Sequence, residues 1–329
     1  MGGNALSVPT RRYSKAEYNE ALVEIRTELA FSGIHSNIIK AYDDKESFGD
    51  LDLVIVSPTD VNMIKSIFAP KEIVKNGNVV SFDYKELQVD FIFFSNPHIA
   101  RFATDYFSFN DLSNFMGRTA HAIGYKFGHD GLWYVLRDQD HPERVVKEIR
   151  VSCKFDDAIQ FLGFDAGRYR KGFKTPEEIF EFAASSPYFQ PEYFFLANRN
   201  HTARVRDRKR RMYAACVEYY KTKFNKTGDE VVEVRENRDE HLLRAFDRFP
   251  SFKREHDEAV AEYQKNLSFK LILNGNQVRH YLSIDGIELG EFMRKAHAYV
   301  DEHNLKDWIS TLCTDDCQDL IQILARKIR

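Results

Sequence analysis

Apolar residues along this chain shift between helical and strand spacing, and the shifts outline its organisation. Leu22, Ile25 and Leu29 recur on one helical face behind Ser14 and Glu17, which stand at capping-box spacing, and Gly33 closes the run. Residues 51–57 form an apolar run dense in branched side chains and end at Pro58, the pattern of a buried strand. A short helix is expected over 59–68 and a turn at Asn76-Gly77. Beyond it Val80, Phe82 and Tyr84 alternate with polar neighbours as a half-buried strand, and Lys85-Glu86 makes a corner into another strand over 87–94. A helix over 111–123 and a strand over 131–136 follow. From residue 155 the spacing is mainly helical, over 176–184, 203–223, 257–265, 290–304 and 314–327. The pattern predicts a mixed α/β (α+β) domain over 1–150 and a mainly helical domain over 151–329.

Composition changes this picture little. With 329 residues, 43% hydrophobic and 29% charged, the chain reads as soluble and globular, with length enough for a real core. No apolar run approaches the roughly 18 residues of a membrane span, and residues 1–12 lack the apolar stretch of a signal peptide. The expectation is a cytoplasmic protein with no membrane partner; oligomeric state is not legible. Cys153, Cys216, Cys313 and Cys317 form no disulfide scaffold and make no zinc spacing, and Cys313 and Cys317, four apart, are expected to be plain buried thiols. His121 and His129 are expected to be packed or hydrogen-bonded imidazoles.

The candidate chemistry lies in Phe48-Gly49-Asp50-Leu51-Asp52-Leu53-Val54-Ile55-Val56. Residues two apart on a strand share a face, so Asp50 and Asp52 project together from its leading end. Paired carboxylates repel, and a divalent cation neutralises them. Gly49 offers a tight approach to the strand and room for a phosphate. Asp90 lies within the equally apolar Leu87-Gln88-Val89-Asp90-Phe91-Ile92-Phe93-Phe94, where a charge needs a partner. Three such carboxylates can clamp two Mg²⁺ (or Mn²⁺) ions about 3.5–4 Å apart, the arrangement that activates an attacking hydroxyl and stabilises a leaving pyrophosphate.

Gly-Asp-x-Asp on one strand and a third Asp on another resembles the polymerase-β nucleotidyltransferase superfamily. Phe115-Met116-Gly117-Arg118, with Ala120-His121-Ala122-Ile123-Gly124-Tyr125-Lys126-Phe127 and Gly131-Leu132-Trp133, is similar to family X DNA polymerases. The resemblance implies a nucleotidyltransferase palm over 1–150, catalytic and metal-binding Asp50, Asp52 and Asp90, and Phe115, Gly117 and Arg118 beside a nucleoside triphosphate. It implies that Asp90 helps to deprotonate the acceptor 3′-hydroxyl while Asp50 and Asp52 hold the metal on the triphosphate. In place of the superfamily's Gly-Ser, this chain has Ile39-Lys40-Ala41-Tyr42-Asp43-Asp44-Lys45, where Lys40 or Lys45 is either a neutraliser of phosphate charge or a solvated surface lysine. Near the C-terminus, Asn274-Gly275-Asn276-Gln277-Val278 and Gly286-Ile287-Glu288-Leu289-Gly290-Glu291-Phe292-Met293 resemble the helical tail of tRNA CCA-adding enzymes.

Net charge is −3, but its distribution is uneven: residues 199–226 carry ten Lys/Arg against two acidic residues, and 227–262 carry six against eleven. Arg204, Arg206, Arg208, Lys209, Arg210 and Arg211 are candidate nucleic-acid contacts, or else a solvated helix paired with the acidic run. The acceptor readings, in order, are an RNA 3′ end such as that of tRNA, then a primed or free DNA end as for a polymerase or terminal transferase. A protein or small molecule follows, with a non-catalytic nucleic-acid binder as the last alternative.

Overall fold

The computed structural model describes residues 5–232 and 238–328. They form two compact units, Met1–Phe252 and Lys253–Arg329. The first is built on a mixed sheet. Strand β1 (Tyr13–Ser14) leads into α1 (Lys15–Phe31), whose capping box of Ser14 and Glu17 is complete. Then come β2 (Ser36–Ile38), β3 (Ser47–Phe48), β4 (Asp50–Val56), α2 (Val61–Phe68), β5 (Ile73–Asn76), β6 (Val79–Tyr84), β7 (Leu87–Phe94) and α3 (Pro97–Phe107). The sheet order is β2-β4-β7-β6-β5; β4 and β7 run parallel, and the other neighbours are antiparallel. Short β1 and β3 pair separately.

One face of this sheet is fully apolar. Leu51, Leu53, Ile55, Val89, Phe91 and Phe93 bury themselves with Ile25 and Leu29 of α1 and Ile64 of α2. On the other face, Val54 and Ile92 pack on Ala100 of α3. Helix α3 is absent from the sequence-based expectation, although Asn96 caps it and Pro97 occupies its first turn. Its Ile99, Phe102, Ala103 and Tyr106 stand at helical spacing, so this helix was legible in the sequence.

The turn joining β6 to β7 places both Lys85 (φ 48) and Glu86 (φ 68) in the left-handed region, where neither residue type is favoured. The N-terminal segment and α1 hold it there. The Tyr13 hydroxyl donates to the Lys85 carbonyl, the Arg11 N–H donates to the Glu86 carbonyl (2.8 Å), and Lys85 pairs with Glu24 (2.7 Å). Earlier in the same segment, the N–H groups of Ser7 and Val8 donate to Glu72, each at 2.8 Å.

The first unit continues through α4 (Leu112–Ala122) and a three-stranded antiparallel sheet of β8 (Tyr125–Gly128), β9 (Gly131–Arg137) and β10 (Val145–Ser152). Helices α5 (Phe155–Phe161), α6 (Ala166–Lys171), α7 (Pro176–Ala183), α8 (His201–Arg208), α9 (Arg211–Phe224) and α10 (Arg238–Arg248) follow. The expected boundary near residue 150 does not divide the compact units. Phe115 of α4 packs against Phe180, Phe194 and Tyr213, so one aromatic core spans both sides of that position. The single helix expected over 203–223 is two, broken at Lys209-Arg210. The break spreads a dense run of like charges over two axes and brings Arg210 onto Asp111.

The second unit is helical throughout its described residues, and the division falls in the first turn of α11 (Pro250–Ile272). Helices α12 (Gly275–Leu282), α13 (Gly286–Glu302), α14 (Lys306–Ile309) and α15 (Cys317–Lys327) supply a core of Phe269, Ile272, Val278, Ala296, Val300, Ile309, Leu320, Ile321 and Leu324. Asn274 caps α12 and Asp285 caps α13. Gly286 is needed for its φ of 58, whereas a Cβ on Gly290 would meet open space, so close packing does not explain that glycine. Among the described residues no helix is long and apolar enough to cross a membrane.

Candidate metal centre

Asp50 opens β4 and Asp52 follows on the same face. The parallel register sets Asp50 opposite Gln88 and Asp52 opposite Asp90. The intervening Leu51, Leu53, Val89 and Phe91 fill the opposite, buried face, so a one-residue slip would bury the carboxylates and expose that core. The apolar pattern therefore fixes the polar one. Helix α3 packs over Val54 and Ile92, further along the same two strands, leaving the carboxylates half-buried at the leading end.

Among the described residues, Asp50, Asp52 and Asp90 are the one group of three His, Cys, Asp or Glu side chains whose ligand atoms lie within 4.8 Å of one another. At that separation each ionised pair repels by about 3–4 kcal/mol with an effective dielectric near 20. Burial, and then the charges of Asp50 and Asp90, push the Asp52 carboxyl well above the usual range, with Lys45 opposing them. Burial also raises Asp90, and hydrogen bonds from Ser81 and Gln88 pull it back. Three converging oxygen donors with uncompensated charge match the preference of a hard divalent cation such as Mg²⁺ or Mn²⁺. The residues present fit such an ion.

Lys45 stands beside this cluster. Its ammonium lies 4.6 Å from the Phe48 ring centroid and senses both Asp50 and Asp52; burial lowers its pKa, and the two carboxylates partly restore it. Its loop is anchored where Asp43 N–H and Asp44 N–H donate to the carbonyls of Phe173 and Lys174, each at 2.9 Å. Gly49 occupies the bend between β3 and β4, directly before the first carboxylate.

The stretch expected to contact the nucleotide lies elsewhere in chemical character. Phe115 is fully buried and Gly117 lies inside α4, where a Cβ would stand 4.0 Å from the Phe127 carbonyl of β8. Arg118 is 9% exposed, and its guanidinium donates to Asp207 (3.1 Å) and Asn114 (2.9 Å). Phe115 and Arg118 are packing positions, against the expectation that they face a nucleotide; Gly117 is half-buried, with no close neighbour where a Cβ would stand. Their likeness to a catalytic motif was one of residue types, while the aromatic core around Phe180, Phe194 and Tyr213 decided where they went.

The basic segment divides. Arg206 pairs with Asp207 (2.9 Å) and Arg210 with Asp111, so these two are engaged within the fold, by residues outside the acidic run of 227–262. Arg204 is half-buried; Arg208, Lys209 and Arg211 are exposed, and none of the four has an ion-pair partner among the described residues. Ser81 and Gln88 are site residues that sequence reasoning passed over. Gln88 was readable, standing two before Asp90 and hence on its face; Ser81 required knowledge of the β6–β7 register. A wide open cavity of about 790 Å³, lined by His121, Arg137, Glu143, Arg238 and others, shares no lining residue with the carboxylates. His129 is exposed, its ring stacked on Phe107 (5.9 Å). Cys317 is a buried free thiol as expected, and Cys216 is another, but Cys313 is exposed, which corrects the expectation of a buried thiol there; Cys153 is also exposed. No protein-family model and no curated protein sequence matches the chain.

Proposed function

We propose that this chain is a metal-dependent nucleotidyltransferase with a palm-like catalytic sheet, adding nucleotides from a nucleoside triphosphate to the 3′-hydroxyl of a nucleic acid, with an RNA end such as that of tRNA as the favoured acceptor. The observation that carries the reading is the register of β4 on β7, which sets Asp52 directly opposite Asp90 with Asp50 beside them. Asp50, Asp52 and Asp90 would hold two Mg²⁺ or Mn²⁺ ions, which when bound acidify the attacking hydroxyl and take up charge on the departing pyrophosphate. Lys45, already placed by its anchored loop, supplies positive charge for the triphosphate. Half-burial of the three carboxylates limits water around them and strengthens each charge interaction. With Phe115 and Arg118 committed to packing, support for the DNA-polymerase reading weakens. The RNA reading rests on the tail resemblance and on Arg204, Arg208, Lys209 and Arg211, which have no ion-pair partner among the described residues.

The test is transfer of label from each α-labelled NTP and dNTP, with Mg²⁺, to intact tRNA, tRNA lacking its 3′ end, and primed DNA. Label entering only truncated tRNA supports the proposal. Templated dNTP addition to DNA would replace it with a polymerase. Silence on all acceptors would leave protein or small-molecule targets, or a non-catalytic binder.

The cations give an independent prediction. Arg204, Arg208, Lys209 and Arg211 changed together to Gln should weaken RNA binding. They should also reduce the slope of log affinity against log salt by about 3, the release expected for four single-strand phosphate contacts. Filter binding across a series of KCl concentrations reads the slope; an unchanged slope removes this surface from the interface.

A further inference from the structure

Gln88 is buried, 2% exposed, in a strand where every other neighbour is apolar except Asp90. Its side-chain nitrogen stands 3.0 Å from each oxygen of Asp90. Its side-chain oxygen accepts the backbone N–H of Ala5 at 2.9 Å. An amide can be turned end for end, and its two orientations differ only in which end meets which partner. Turned around, this one would set its oxygen against a carboxylate and its NH₂ against another N–H, both repulsive. The Ala5 N–H therefore selects the orientation that gives Asp90 a donor.

We infer that Gln88 is, beside Ser81, a positioning residue of the carboxylate cluster, and that the N-terminal segment, through Ala5, holds Gln88 in place. This inference rests on the metal-centre reading above. Gln88 occupies the site opposite Asp50 in the parallel register, where a carboxylate would complete a square of four negative charges. The amide instead supplies a donor, so that Asp90 keeps a fixed orientation toward Asp52 and less of its charge is left to repel. The segment is fastened at several points besides Ala5. Glu72 receives Ser7 and Val8, and the β6–β7 turn receives Arg11 and Tyr13. A fault in that clasp would reach Asp90 through a single side chain.

Gln88→Met keeps length and burial while removing both the donor and the acceptor. Ala5→Pro removes one backbone N–H and leaves Gln88 and the core intact. Mn²⁺ binding to the full-length protein, followed by loss of the free-ion EPR signal and by calorimetry, is the measurement, with circular dichroism verifying the fold. The expected result is tight binding by the wild type, weakened about 10-fold or more in Gln88→Met, as for residues that orient metal ligands. Ala5→Pro should shift affinity in the same direction by a smaller factor. Wild-type binding with unchanged affinity in both folded variants would overturn the positioning role while leaving the metal centre standing. Absence of Mn²⁺ binding by the wild type, with Asp90→Asn indistinguishable from it, would overturn both. If Gln88→Met fails to fold, Ala5→Pro decides alone.

Discussion

Asp52→Asn should make the metal-free protein more stable and the transferase inactive. In the absence of a cation, Asp52 is forced against two other carboxylates, and burial raises its pKa. A carboxyl whose folded pKa lies above its unfolded value near 4 opposes folding as pH rises through that interval, because the folded state binds the proton more tightly. The penalty is absent below about pH 4, grows up to the folded pKa and then stays constant, at about 1.4 kcal/mol for each pH unit of displacement. The neutral amide carries none of it. Thermal unfolding in EDTA at about pH 4 and about pH 8 should therefore show the variant gaining on the wild type as pH rises, by roughly 2–4 °C for each kcal/mol.

Adding Mg²⁺ or Mn²⁺ should reverse the ranking. A ligand that binds only the folded state stabilises it by about 2.7 kcal/mol at 100 times its dissociation constant, and the variant has lost one of three donors. Transfer should fall by at least about 100-fold, since losing a ligand exceeds the 10- to 100-fold cost of losing a residue that merely orients one. A variant as active as the wild type would remove the metal centre from the reaction. One no more stable than the wild type in EDTA would show that Asp52 is not under electrostatic load.

The carboxylate-bearing sheet was legible because the same residues that bury one face point the carboxylates from the other. Leu51, Leu53 and Ile55 mark β4 as apolar, and their alternation places Asp50 and Asp52 together without any knowledge of the partner strand. That Asp90 stands opposite Asp52, rather than one pair further along, depends on the parallel register, which no local pattern encodes. Lys45 was a candidate only by elimination of the missing Gly-Ser, and its closeness to Asp50 and Asp52 comes from a loop anchored on Phe173 and Lys174, far away in sequence. The misassigned residues share one cause. Motif likeness at Phe115 and Arg118 describes residue types, but an amphipathic helix exposes or hides them according to what packs beside it. Here residues beyond 150 provide the cover, the same long-range packing that moves the unit division to Phe252.

Asp207→Ala should be the most destabilising single change at the basic segment, costing about 3–5 kcal/mol, the range for breaking a buried ion pair from one side. The Asp207 side chain is fully buried, with Arg118 at 3.1 Å, Arg199 at 3.5 Å and Arg206 at 2.9 Å. Arg206 is half exposed and can turn to water, but Arg118 and Arg199 are 9% and 14% exposed and would be left charged with no anion. Around them Ser113, Asn114 and Thr119 already carry buried polar atoms with no hydrogen-bond partner, so the neighbourhood has little spare capacity to compensate. Denaturant unfolding monitored by tryptophan fluorescence (Trp133 lies in the same unit) would read the loss as a lower midpoint with unchanged slope. Arg118→Met separates the two roles proposed for that arginine. If Arg118 serves packing alone, the variant is less stable, because Asp207 retains Arg199 and Arg206 but loses its most buried partner; at a permissive temperature its nucleotide KM is that of the wild type. A KM raised by about tenfold or more in a folded Arg118→Met protein, a loss of about 1.4 kcal/mol in binding, would return this residue to the nucleotide site and require the helix carrying it to move when substrate binds.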